Sequence, residues 1–169
     1  MRKSAALMTA VLGVAAGVSA LVASGAMGAE GPAASYSLKG TWQVVVDPQP
    51  TPGGDQPPFE STISFGQAQD VVEATAKSPT PPGATAAFDM STGLGTWVKT
   101  GPSSYHFVVQ KYRFDATGAY IGKTVVSEDV TLTGPSDYTG QAVTRIFGAA
   151  GGAPTAQFTS VSQGTRLVS

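Results

Sequence analysis

Glu128 is followed at once by Asp129, and it falls in the row Val126, Glu128, Val130, Leu132, where every second residue is otherwise apolar. Alternate residues of a strand share a face, so these two carboxylates point apart and cannot act as a pair on one substrate. Facing a dry interior, Glu128 would have a raised pKa and could serve as acid, base or ligand anchor. With the strand registered the other way, it is a solvated surface charge. His106 is the sole histidine of a chain without cysteine, and no carboxylate lies near enough in sequence to suggest a ligand set, so no metal and no cofactor are expected. A Ser-His-Asp relay would need His106 as its base, and no G-x-S-x-G elbow marks a serine for it. Gly93-Leu-Gly-Thr-Trp97 precedes no helix and makes a poor phosphate loop. The aromatic set Trp97, Tyr105, Phe107, Tyr112, Tyr120 and Tyr138 could line an apolar pocket bearing a few hydroxyls. The competing reading is that several of them are ordinary core.

Strands must position these groups. After residue 30 no stretch carries apolar residues at helical spacing, whereas short β-branched and aromatic runs recur between Gly, Pro, Ser and Asp clusters, the all-β pattern. Eight strands are predicted, near Thr41–Val46, Ser61–Phe65, Asp70–Ala76, Gly95–Thr100, Tyr105–Phe114, Tyr120–Thr133, Tyr138–Phe147 and Ala156–Leu167. Eight is the number at which an antiparallel up-and-down sheet closes into a small barrel, holding side chains or one ligand. Asp115-Ala-Thr-Gly118 supplies a turn with a glycine where a left-handed residue is needed, a hairpin link. The proline clusters at 47–58 and 78–83 read as rim loops or as disordered connections. In the first strand Trp42, Val44 and Val46 share a face. In the fifth, Tyr105, Phe107 and Val109 oppose Val108, Tyr112 and Phe114, which suggests a bulge or a covered exterior.

Arg2 and Lys3, then an uncharged Ala/Val/Leu stretch from Ala5 to Val22 and the small residues Ser24–Ala29, form the pattern of a signal peptide over 1–29. The reading taken is cleavage and export to the cell envelope or medium, against an uncleaved anchor. About 140 residues would remain (30–169), enough for one domain with one core, held without disulfides. Without Arg2 and Lys3, eight basic residues face eleven acidic ones, a net charge of about −3. The charges form no basic stripe, so nucleic acid is not an expected partner, nor is stable membrane insertion of the mature chain. The composition, rich in Ala, Gly and Pro and poor in Lys, suggests a bacterial origin. Oligomeric state stays open.

Gly40-Thr-Trp42, opening the first strand of a small all-β chain, resembles the G-x-W signature of lipocalins and the wider calycin group. The resemblance implies that Trp42 plugs the closed end of a barrel and that an arginine from a late strand crosses its indole, favoured by cation–π attraction. Arg166 is the choice over Arg145 because the final strand closes against the first. The chain lacks the T-D-Y-type second motif, a C-terminal helix and a disulfide, and its outline is also similar to allene oxide cyclase-like barrels. Gly95-Thr-Trp97 is read as a glycine that permits close approach and a tryptophan that fills volume. The function expected is non-enzymatic binding of a small hydrophobic or amphipathic molecule. The alternatives are a barrel-type cyclase or isomerase, and a ligand-free envelope interaction module.

Overall fold

A computed structural model describes residues 36–50, 55–75 and 88–168. The segment 1–29, residues 51–54 of the first proline cluster and all of the second lie outside the described residues. Among those described there are nine strands and no helix: β1 (Gly40–Pro48), β2 (Phe59–Phe65), β3 (Asp70–Thr75), β4 (Phe88–Met90), β5 (Gly93–Lys99), β6 (Ser104–Asp115), β7 (Tyr120–Leu132), β8 (Asp137–Gly148) and β9 (Ala156–Arg166). All eight predicted strands are present. The added one, β4, pairs with Arg113–Asp115 of β6, on the same edge that β5 occupies further along. Ser91 and Thr92 separate β4 from β5, and the Ser91 amide and hydroxyl hold Tyr112 across that break.

The other eight strands form a closed antiparallel barrel. Each pairs with its successor in the chain, β3 with β5 taking the place of β3 with β4, and β9 closes on β1. Closure leaves no unpaired edge, which is how an all-β chain without disulfides satisfies its backbone. The turn at Asp115–Ala119 is the predicted hairpin: Gly118 takes φ 82°, and the Asp115 carboxylate accepts from the Thr117 and Ala119 amides. The Thr117 hydroxyl, first, and these amides hold the Asp115 pKa below its usual value. The fifth predicted strand, β6, keeps one alternation from Tyr105 to Lys111; the irregularity of its pairing with β7 is a register shift between Arg113 and Phe114, where Ile121 of β7 is skipped.

Period-two alternation holds along every long strand. Trp42 and Val44 face inward, as do Tyr105, Phe107 and Val109 of β6 and Val130 and Leu132 of β7. Trp42, Phe65, Trp97, Tyr105, Phe107 and Tyr138 collect at one end. Phe107 packs edge-on against Phe65 at 5.3 Å, Tyr105 against Trp97 at 5.6 Å, and Tyr138 lies 5.1 Å from Trp42. This plug closes the barrel, and Leu38 in the segment before β1 is fully buried against it.

The pairing of Gly40, Trp42 and Arg166 forms at this end. The Arg166 guanidinium lies 4.2 Å from the Trp42 ring centroid and donates to the carbonyls of Ser37, Lys39 and Pro135. Gly40 has φ 121°, and a Cβ there would meet the guanidinium, so glycine clears the path the arginine takes over the indole. The Trp42 indole N–H is satisfied by the Leu38 carbonyl at 2.8 Å. Trp97 also sits at the closed end, its N–H donating to the Gly66 carbonyl at 3.2 Å. At Gly95 a Cβ would collide with the Val108 backbone, so this glycine permits close strand approach.

Candidate functional site

Above the aromatic plug the inward rows turn polar. The row Tyr105, Phe107, Val109 continues to Lys111 and Arg113, and the row of β3 runs Val71, Glu73, Thr75. Lys111 and Glu73 are both buried and pair inside the barrel, Nζ to Oε1 at 2.6 Å. The same carboxylate oxygen accepts from the Ser61 hydroxyl at 2.9 Å and the Thr75 hydroxyl at 3.1 Å. A buried ion pair is tolerated when such additional hydrogen bonds complete it. Lys111 and Glu73 stand two strands apart, with β5 between them. Gly93 of β5 is the register partner of Glu73, and a Cβ on it would collide with Val109 and press on the Lys111 stem. Glycine therefore opens the route by which lysine reaches glutamate.

Glu128 faces inward and is 4% exposed, while the neighbouring Asp129 carboxylate is 80% exposed on the outer face. The inward alternative holds. The Ser162 hydroxyl donates to Glu128 Oε1, reaching across β8 at Gly140, where a Cβ would collide with both groups. Burial raises the Glu128 pKa to about 7, repulsion from Glu73 and Asp129 adds to the rise, and the Ser162 hydrogen bond opposes it. Tyr138 lies on the same side, its hydroxyl buried without a hydrogen-bond partner, and burial pushes its pKa far up.

Beyond this polar layer lies a cavity of about 110 Å³. Its floor includes Glu73, Lys111, Thr75, Thr124, Thr144 and Ser160, and Arg113 stands in its wall. The rest of the wall is mainly apolar: Val46, Pro48, Phe59, Met90, Val126, Ile146 and Phe158. Burial lowers the Arg113 pKa, the mark of a cation placed where water solvates it poorly. Apolar walls with a few convergent polar groups are what small-molecule sites look like.

The residues read from the sequence as ligand contacts are distributed differently. Phe107 and Tyr138 belong to the plug, and Trp97 and Tyr105 border a shallow depression on the outside of the closed end, beside Lys39 and Lys99. Glu128 lies in the polar layer. Tyr112 and Tyr120 face outward, meet edge-to-face at 6.0 Å and are about half exposed, at 47% and 45%. None of the seven lines the cavity. The residues that do were signalled by extending the inward rows of the third and fifth predicted strands past their apolar part, to Glu73, Lys111 and Arg113.

His106 acquires neighbours that only strand pairing could reveal. Its Nδ1 lies 2.8 Å from Asp129 Oδ1 across the β6–β7 ladder, and its Nε2 lies 3.3 Å from the Ser127 hydroxyl. The residue types and order match a serine nucleophile, its base and an orienting carboxylate. The group sits on the outer face of strands paired on both sides, so the surrounding amides are committed to the ladders and no backbone donors converge on an oxyanion. Among the described residues no three potential metal-ligating side chains gather. Comparison of the chain with protein-family models, with curated proteins and with solved structures found no match.

Proposed function

We propose that this protein binds a small amphipathic molecule inside the barrel, in the half beyond the Lys111–Glu73 pair. The observation that carries this reading is the cavity itself, about 110 Å³ between apolar walls and a hydrogen-bonded polar floor. A barrel serving only as a filled scaffold has no use for a buried ion pair that costs desolvation and borders empty volume. The closed antiparallel barrel and the stacking of Arg166 on Trp42 at its plugged end support placing the chain beside the calycin group by architecture. The basic, apolar and small-residue sequence of 1–29 supports export of the protein. Native mass spectrometry of the protein purified from its own source tests the binding reading. A retained small molecule, released on unfolding, is the expected result. Protein that carries no adduct and takes none up from an extract of that source overturns it.

A further inference from the structure

Lys111 is a primary amine held in an apolar barrel. Its side chain is 5% exposed, and it lines the cavity together with Glu73 and Thr75. Its ammonium donates to Glu73 Oε1 at 2.6 Å and to the Thr75 hydroxyl at 2.5 Å, and it carries one donor more than these acceptors use. The ion pair restricts what can bond to it. An anionic ligand would draw Lys111 from Glu73, and a cationic one would draw Glu73 from Lys111. Either exchange leaves a buried charge without its present partner, which is costly. A neutral carbonyl compound that condenses with the amine avoids this, because the product is again a cation on nitrogen beside the same carboxylate. Buried lysines are the usual Schiff-base formers for that reason.

The step balances with the groups present. Lys111 passes a proton to Glu73 along their hydrogen bond, and its freed lone pair attacks the carbonyl carbon while the C=O π pair moves to oxygen. A proton shift from nitrogen to that oxygen gives the neutral carbinolamine. Glu73 returns its proton to the hydroxyl, the C–O bond breaks and water leaves. The nitrogen lone pair closes the C=N bond, so a protonated imine faces an ionised Glu73. Glu73 thus acts first as base and then as acid. Unfolding exposes the imine to water, which hydrolyses it and releases the aldehyde. Size limits the rest of the molecule: a cavity of about 150 Å³ takes up benzene, and this one measures about 110 Å³, so the enclosed group is a short alkyl chain against Ile146, Phe158 and Met90.

Resting on the proposed binding function, we infer that the barrel takes up a small aldehyde and holds it as a protonated imine on Lys111, with Glu73 as proton carrier and counter-ion. The test treats the folded full chain with limiting propanal and sodium cyanoborohydride near neutral pH, which fixes any imine as a propyl group, and follows each lysine by peptide mass mapping. Lys99, exposed at the end of β5, is the internal standard. A lysine that is merely structural and buried reacts more slowly than an exposed one. Lys111 is instead expected to lead Lys99 by on the order of tenfold, a modest share of what general acid–base help supplies, and the lead should vanish in urea-unfolded protein. Ile146→Trp, which fills the cavity, should slow Lys111 and leave Lys99 unchanged, and Glu73→Gln should do the same. A Lys111 rate at or below that of Lys99 in the wild-type protein overturns the inference, whatever the variants do. So does a folded Ile146→Trp or Glu73→Gln protein that keeps the full lead. The binding reading is judged separately, by native mass spectrometry: a retained molecule that is still released on unfolding after borohydride treatment of the folded protein upholds binding and removes the imine.

Discussion

Glu128 shows what a barrel interior does to one side chain. Its carboxyl stays protonated up to about pH 7 because burial penalises the charged form. In the unfolded chain it ionises near its ordinary value of 4.5. Below that value both states hold the proton and the contribution to stability is complete. As pH rises through the interval from about 4.5 to 7 the unfolded chain alone gives up its proton, so stability falls; above the folded pKa the loss is finished. Glu128→Gln keeps a neutral, hydrogen-bonding side chain of the same shape and removes this titration. Urea denaturation of wild type and variant across pH 4 to 8 should show the glutamine protein gaining relative stability from pH 4.5 to 7, a few kcal/mol in all since each pKa unit is worth about 1.4 kcal/mol. A difference that does not change with pH would mean that Glu128 is solvated. The sequence showed the anomaly, a carboxylate in an apolar row, and strand pairing chose between its two readings.

At the scale of elements the recurring device is a glycine in the strand between two polar partners. Gly93 of β5 clears the way for Lys111 to reach Glu73, and Gly140 of β8 does so for Glu128 and Ser162. Neither has a positive φ, so their role is space and not backbone conformation. Gly140→Ala should therefore lower stability by roughly 1–3 kcal/mol, the usual range for overpacking, and Gly140→Ala combined with Ser162→Gly should recover part of it by vacating one of the colliding groups. Equal loss in single and double variants, measured by chemical denaturation, would show that the strain lies elsewhere. Gly140 lies inside a predicted strand and Gly93 two residues before one, so both are visible in sequence. Their partners are not, because a strand's neighbours depend on the barrel's pairing order. The short β4 was missed for a related reason: three residues following a proline-rich stretch give no alternation to read, and only the edge of β6 makes them a strand.

For the molecule as a whole, strand existence and facing were legible, but height along the barrel axis was not. Period two says that Phe107, Tyr138 and Lys111 all point inward. It does not say that the first two fill the plug while Lys111 reaches the cavity floor, because height depends on the stagger between strands that closure imposes. Hence four of the aromatic residues chosen as ligand contacts, Trp97, Tyr105, Phe107 and Tyr138, belong to the closed end, and the lining came from the ends of rows that looked finished. The barrel thus has three interior layers: an aromatic plug at Trp42, a polar belt at Glu73–Lys111 and Glu128–Ser162, and the cavity beyond. The claim that this third layer is where the molecule binds can be tested by filling it. Ile146→Trp adds an indole to the apolar wall. Native mass spectrometry of this variant and of wild type, each exposed to an extract of the protein's own source, with thermal unfolding to confirm that the barrel persists, measures the point directly. The prediction is a cooperatively folded variant with uptake reduced at least tenfold; a folded variant that binds as well as wild type would contradict it.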